Sequence, residues 1–382
     1  MNPFNPYQPA EGDLFADRKR EQQWFLRGFL PSLHPDSTGV YNAAVLGPWG
    51  IGKSSLVRQL RYLAKAQDQV KIGMAYLSCT TGYGDLFGLF RALVSSVRDE
   101  ILLMSAWSES IKNELDRWSV QISLPAVSLS RSKNTPTDTA SAAEYLRTSL
   151  LRLWEKFLKP RDASMILVLD DANLLQSLDS QALMVLRAVF QDLHMYHTRY
   201  ALVITGPSSL FQEIHDIAEP VTRFFEHLQL DTYSWNDMND AINEPLNGAK
   251  LNLTVAPSVI QWIWSKTLGH PYFVTFVMRD LVEEALYRGW KSLQETHALE
   301  LWGSIIEHIE HGKFDSEWNS ATVAERKALV TLAMGDDHKI NRGLYSRLAK
   351  KNLLVRVERG SYTLYHPMFN DYVIKHSSEA QN

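Results

Sequence analysis

Val40-Tyr41-Asn42-Ala43-Ala44-Val45-Leu46-Gly47-Pro48-Trp49-Gly50-Ile51-Gly52-Lys53-Ser54 decides how the rest of the chain is read. Its first half is a short, largely apolar run, and its second half is a glycine-rich turn. Beyond the turn, Leu56, Leu60 and Leu63 recur at helical spacing through Ala66, so the order is strand, loop, helix. Gly47 to Ser54 fits the pattern GxxxxGK[ST] in the context its mechanism requires. Glycines let backbone amides turn inward around phosphate oxygens, and the helix start adds the positive end of its dipole.

Phosphate and cofactor contacts are therefore expected from Gly47, Pro48, Trp49, Gly50, Ile51, Gly52, Lys53, Ser54 and Ser55. Lys53 would neutralise β and γ phosphates, and Ser54 would hold Mg²⁺. A second half of the site follows from Met165-Ile166-Leu167-Val168-Leu169-Asp170-Asp171, a buried strand ending in two carboxylates where parallel sheets bind ligands. Asp170 would ligate Mg²⁺ and Asp171 would orient the attacking water. Alternatively, one of the pair caps the following turn. Thr205, ending the strand Tyr200–Gly206, is placed to sense the γ-phosphate or that water, or is a plain strand-end threonine.

Further strands are expected at Val70–Ser78 and around Leu228. Helices are expected at Asp17–Leu33, Asp85–Trp118, Ala143–Leu158 and Gln181–Leu193. Strands alternating with helices imply a parallel sheet. Near-alternation of Val120, Ile122, Leu124, Val127 and Leu129, followed by a polar run, suggests a hairpin or loop insertion at 119–142. After Trp235 the pattern is helical (236–246, 256–267, 271–287, 297–308). From Ala321, two helices at 323–334 and 342–352 precede two short strands joined by Arg359-Gly360, the order of a winged helix. The expected fold is α/β, a P-loop NTPase parallel sheet flanked by helices at 1–232, with an α-helical lid at 233–312 and a C-terminal winged-helix domain at 313–382.

Composition narrows the function classes. The 382 residues are 45% hydrophobic and 21% charged, a globular balance that excludes wholesale disorder and collagen-like or coiled-coil architectures. A single cysteine, Cys79, allows no internal disulfide or cysteine-based zinc site, and no apolar run approaches a membrane span. The opening MNPFNPYQPAEGDLF lacks a signal-peptide pattern and reads as an extended lead-in. A cytoplasmic protein without a membrane partner is expected. The net charge of −4 is uneven: residues 321–382 carry ten basic and six acidic side chains, leaving −8 on the first 320. Arg342, Arg347, Lys350, Lys351, Arg356 and Arg359 cluster in that basic tail, a candidate stripe for double-stranded DNA. Such a stripe is equally a solvated helix face.

With these motifs in place, nearly the whole chain resembles the AAA+ and STAND branches of P-loop ATPases, including archaeal-type and origin-recognition-type ATPases. Phe15-Ala16-Asp17-Arg18-Lys19-Arg20-Glu21 is similar to their Phe-x-Gly-Arg box near adenine, with Asp17 at the usual glycine, and implies a cofactor contact for Arg18. The resemblance places Thr205 at sensor 1 and matches Arg223 to an arginine finger supplied to a neighbouring subunit; a surface arginine is the alternative. Gly269-His270-Pro271-Tyr272 resembles the lid element that brings Pro271 to the nucleotide, and no sensor-2 arginine of the usual type is evident. His366, in His366-Pro367-Met368-Phe369, matches a histidine that holds ADP in STAND switches, or is a core residue of the last strand. The resemblance implies ATP/ADP and Mg²⁺ as cofactors and slow ATP hydrolysis. It also implies a switch that assembles with itself or with a partner protein and contacts DNA through its winged helix, or instead an ADP-held signalling switch without DNA.

Overall fold

The computed structural model describes residues 1–67, 71–79, 82–104, 115, 139–211, 221–336, 341–358 and 361–379. The insertion expected at 119–142 falls mostly outside them. A helical segment, α1 (Lys19–Trp24), continues through a π-turn at Phe25–Phe29 into Leu30–Ser32. Then follow β1 (Ala43–Leu46), α2 (Lys53–Lys65), β2 (Lys71–Ser78), α3 (Leu86–Leu103), α4 (Thr139–Leu153), β3 (Ala163–Asp170), α5 (Ala182–Met195), β4 (Tyr200–Gly206) and β5 (Glu226–Gln229).

The five strands form one parallel sheet in the order β2-β3-β4-β1-β5. Register aligns their carboxyl ends: Leu46 pairs with Gly206 and Gln229, and Ser78 pairs with Asp170. The crossover from β1 to β2 passes over two strand positions and leaves a crevice beyond β1, the place where open α/β sheets take ligands. Central strands are buried on both faces, as parallel sheets covered by helices require. Ala43, Val45, Met74, Ile166, Val168 and Val203 pack with α2 and with Phe25 and Phe29. Their neighbours of opposite parity, such as Leu46, Ala75, Leu167 and Ile204, pack with α3, α4 and α5.

Beyond the sheet lie α6 (Trp235–Gly248), α7 (Pro257–Thr267), α8 (Pro271–Arg288) and α9 (Glu295–Ile309). The chain continues helically through a π-turn at Glu310–Phe314 into α10 (Asp315–Ser320). It ends in α11 (Val323–Ala333), α12 (Arg342–Lys350), an antiparallel hairpin of β6 (Leu354–Glu358) and β7 (Ser361–Leu364), and α13 (Pro367–Lys375). One apolar cluster runs through all of these, joining Met238, Phe273, Phe314, Leu329 and Phe369. Phe4, from the amino-terminal lead-in, is buried in the same cluster.

One expectation is corrected here. His366 does not lie on a strand: it caps α13, a helix that the sequence reading did not anticipate. In the helical region Trp262 is buried against Trp302, and Trp264 packs edge-on against Trp235. Among the described residues, no helix is long and apolar enough to cross a membrane.

Candidate nucleotide site

The loop after β1 is anchored at its first residue, where the Gly47 amide donates to the Gly206 carbonyl at 3.1 Å. A side chain at Gly47 would put its Cβ 2.8 Å from Ile51 Cγ2 and 2.9 Å from the Leu230 carbonyl oxygen, which explains the glycine. Gly50 and Gly52 have φ of +71° and +96°, the left-handed region open to glycine. Gly52 then caps α2, so the free amides of the first helical turn face the concavity of the loop.

Asp170 is the node of the site. It is buried at the end of β3, and Oδ2 accepts from Ser54 Oγ at 2.8 Å and from the Tyr76 hydroxyl. Oδ1 accepts from Thr205 Oγ1 at 2.5 Å, and Thr205 Oγ1 in turn accepts from the Asp171 amide at 2.9 Å. Register explains the meeting: β3 lies between β2 and β4, so hydroxyls from both neighbours reach its terminal carboxylate.

Asp171 turns out of the strand with φ of +57° and lines the same cavity as Lys53 and Ser54. Burial, and next the Asp170 charge, push its carboxyl above the usual range, with Lys53 pulling the other way. Lys53 Nζ donates to the carbonyls of Gly47 (3.0 Å) and Pro48 (2.9 Å). Burial lowers its pKa, opposed by Asp171 and Asp170. A cationic ammonium thus lies between a cradle of amides and two carboxylates.

The cavity, about 670 Å³, lies within the range of small-molecule sites. Gly50–Ser55 and Asp171 form one end, while Phe15, Ala16, Tyr233 and Pro245 supply a less polar part of the lining. Residues 1–10 also line it. They are fixed by Asn2 Nδ2 donating to the Arg279 carbonyl at 2.8 Å and by Tyr7, whose hydroxyl accepts from Arg279 Nη1 at 3.1 Å.

Arg18 lines this cavity too, but its guanidinium is a strut. Nη2 donates to the carbonyls of Ile51 (3.0 Å) and Asp231 (2.7 Å), tying the end of the loop to the segment after β5. Asp17 has φ of +61°, which explains the glycine usual at this position. Burial, and next the Asp237 charge, raise its carboxyl pKa to about 6.

The outer side of the loop is held by the helical region. Pro271 is the first residue of α8 and lines the cavity. Beside it, the His270 ring meets the Trp49 carbonyl at 3.1 Å through Nε2, and the Tyr272 amide donates to the Gly50 carbonyl at 3.2 Å. Lys313 Nζ lies 3.2 Å from the centre of the Trp49 ring and also pairs with Glu317 at 2.5 Å. Glu317 accepts from the Tyr365 hydroxyl at 2.7 Å. His366 stands one layer back: Nε2 meets the Thr267 carbonyl at 3.0 Å, and Nδ1 accepts from the Met368 amide at 3.2 Å. Its ring faces that of His270 at 5.9 Å, so it reaches the loop through His270.

Arg223 is exposed just before β5, and the pairing of Glu226 with Ala43 puts it at the sheet edge opposite the loop. The chain does not bring it to its own cradle. In the basic tail, Arg347 and Lys351 converge on buried Glu325 at 3.4 and 2.7 Å, and Lys351 also donates to the Ser320 carbonyl. Arg359 and the side chains of Arg342, Lys350 and Arg356 lie outside the described residues. Sequence reasoning missed Tyr76 and Lys313. Tyr76 carries a signal, an aromatic hydroxyl near the end of a strand, whereas Lys313 carries none.

A cradle of amides, a lysine, a hydroxyl and a strand-end carboxylate on this sheet define a P-loop nucleotide-binding core. Residues 20–204 match the family described as AAA ATPase domain. A search of curated proteins gave no match. Among solved structures, the ORC2 protein of Aeropyrum pernix in its ADPNP-ADP complexes is similar at a TM-score of 0.60 and 14% identity, covering 98% of this chain and 97% of that one. A Walker-type ATPase of Pyrococcus abyssi gives 0.58 at 16% identity, covering 96% and 98%. The Aeropyrum pernix ORC1 protein in complex with DNA gives 0.53 at 14%, covering 97% and 95%. At these identities the likeness to the ORC1 and ORC2 proteins is one of fold alone.

Proposed function

We propose that the protein binds and slowly hydrolyses ATP and uses the cycle to set the position of its carboxyl-terminal region. The convergence of Ser54, Thr205 and Asp170, with Asp171 beside Lys53, carries this reading. Lys53 and the loop amides bind and orient the phosphates. Asp171 accepts a hydrogen bond from the attacking water, whose oxygen bonds to the γ-phosphorus as the bond to the β–γ bridging oxygen breaks. ADP and phosphate leave, and the water's proton passes to the phosphate. Asp171 thus orients the water rather than keeping its proton, and the short reach of an aspartate suits slow turnover. Ser54 and Asp170 are hard oxygen donors that suit Mg²⁺, which would add charge neutralisation at the phosphates. Arg223 of a neighbouring copy would complete the site and make turnover depend on assembly.

The domain reading places the ATPase core at 1–232, the lid at 233–312 and a winged helix at 313–382, in a cytoplasmic protein. ATP turnover by the wild type, Lys53→Ala and Asp171→Asn tests the catalytic part. Asp171→Asn is expected to keep nucleotide binding and lose roughly 10²-fold or more in rate, and unchanged turnover in either variant would overturn the assignment.

The lid contacts on Trp49 and Gly50 favour an ADP-held switch of the STAND type, released towards a second copy or a partner protein. Identical light-scattering masses with ADP and with a non-hydrolysable ATP analogue would refute release into assembly. DNA contact is a second reading, favoured by the helix-and-hairpin unit of α12, β6 and β7 and by the DNA complex of the similar ORC1 protein. Because Arg347 and Lys351 are committed to Glu325, its test is charge reversal at Lys350, Arg356 and Arg359. DNA affinity and its salt slope should both fall, and an unchanged slope would exclude the stripe.

A further inference from the structure

Tyr76 has no part in the chemistry above, yet it touches the node of the site. It lies on β2 opposite Val168, two positions before Ser78 pairs with Asp170, and on the sheet face covered by α2. The diagonal reach of a long aromatic side chain brings its hydroxyl onto Asp170 Oδ2, the oxygen that Ser54 also addresses. Oδ1 is held separately by Thr205. Packing does not fix the ring from every side. Tyr76 also lines a distinct cleft of about 310 Å³ with Glu11, Val57, Arg58, Arg61 and Met74, so the hydroxyl bond sets its orientation.

We propose that Tyr76 is a positioning residue for the metal-binding carboxylate, holding Asp170 Oδ2 by a bond that does not depend on the ion. This rests on the proposed nucleotide site. The Ser54 hydroxyl can give its one proton to Oδ2 while a lone pair faces Mg²⁺, so its hold on Oδ2 is tied to the geometry of ligation, whereas the Tyr76 hydroxyl has only Oδ2 to serve. Tyr76 supplies the second anchor, as outer-shell partners of metal-ligating carboxylates do.

The test is equilibrium binding of a fluorescent ATP analogue to the full chain while Mg²⁺ is titrated, for the wild type, Tyr76→Phe and Lys53→Ala. The phenylalanine keeps the ring and the strand, and thermal unfolding checks that it folds. Tyr76→Phe is expected to raise the Mg²⁺ concentration for half-maximal enhancement about tenfold or more, with affinity in the absence of Mg²⁺ unchanged. A Mg²⁺ dependence within twofold of the wild type overturns the proposal, as does a loss that is equal with and without Mg²⁺, which a merely structural role would give. If the wild type and Lys53→Ala bind nucleotide alike, the site reading itself fails, and this inference with it.

Discussion

Trp49 and Lys313 offer a direct measure of how firmly the helical region is docked on the nucleotide loop. Trp49→Ala removes an aromatic face lying 3.2 Å from a buried ammonium and an edge contact with Tyr272 at 4.7 Å between ring centres. A desolvated cation–π contact is worth ~2 kcal/mol and an aromatic pair ~0.5–1.5 kcal/mol. Together they shift the ratio of docked to released forms by about 60- to 300-fold, at 1.4 kcal/mol per decade. Lys313→Met removes the charge from the other side and leaves the loop untouched, although Glu317 then loses its cationic partner and keeps only the Tyr365 hydroxyl. The double variant isolates the shared contact, because the cost to Glu317 cancels in the cycle. The assay is stopped-flow release of a fluorescent ADP analogue, paired with hydrogen exchange over α13. Lys313→Met should speed release about 30-fold and Trp49→Ala about 60- to 300-fold, and the coupling energy should be ~1–2 kcal/mol. Strictly additive effects, or release unchanged in both singles, would refute the idea that this contact holds the docked state.

Three further outcomes follow from buried or strained groups. Burial drives His270 down to about 3 and His366 to about 4, so their stabilisation is complete above the ordinary histidine pKa and is lost as pH falls through 6 towards 4. At pH 5 each should cost ~2 kcal/mol relative to neutral pH, seen as a falling Tm that His270→Gln and His366→Asn flatten; a Tm slope that these variants leave unaltered would contradict it. Glu325 is held down to about 2, first by the Lys351 hydrogen bond, so its contribution is present above the ordinary carboxylate pKa and lost as pH falls towards 2. Lys351→Met should destabilise the terminal region by ~2 kcal/mol, the partial exposure of the lysine reducing the full cost of breaking a buried pair, and a denaturation midpoint like the wild type's would refute the clamp. Asp17→Gly should stabilise the chain by ~1 kcal/mol, because it relieves a left-handed residue and a buried carboxyl raised to about 6; a lower Tm would show that the carboxylate is needed.

Most of the sheet was legible because each central strand is a run of apolar residues that ends where the ligand-binding edge begins. Met165–Asp170 and Tyr200–Gly206 have this form, and their carboxyl ends carry Asp170 and Thr205. Edge strand β5 left a fainter trace, since Glu226, His227 and Gln229 are exposed and only Leu228 points inward. Helix α13 went unread for a different reason. Its start is marked by proline at the first position, a known signal, but its cap is histidine and not one of the small polar residues usual there. Asp17 shows a residue against local preference: its φ demands what glycine gives freely, and of its surroundings the Glu244 carboxylate accepts from its amide at 3.1 Å while Asp237 repels its charge. The role of Lys313 was invisible because, besides Glu317 at helical spacing, the rings it faces, Trp49 and Tyr365, lie 264 and 52 positions away, beyond any periodicity.

Peptide geometry argues that the nucleotide and the lid act on the loop together. In a trans peptide the amide hydrogen and the carbonyl oxygen point in opposite directions. The Trp49 carbonyl shares a peptide with the Gly50 amide, and the Gly50 carbonyl shares one with the Ile51 amide. His270 and Tyr272 hold those two carbonyls on the outside of the loop, which fixes the partner amides towards the cavity where phosphate oxygens would bind. A phosphate that orders the amides from within therefore presents the carbonyls to the lid, and a docked lid pre-orders the amides for phosphate. The coupling must be reciprocal, so whatever factor nucleotide adds to lid docking, docking adds to nucleotide affinity. Gly50 sits at the centre of this exchange. A Cβ there would lie 2.9 Å from His270 Cε1 on a backbone with φ of +71°, so Gly50→Ala should weaken docking and nucleotide binding together. Measuring both in one variant separates a coupled loop from two independent contacts: a change in lid protection with nucleotide affinity intact would break the argument.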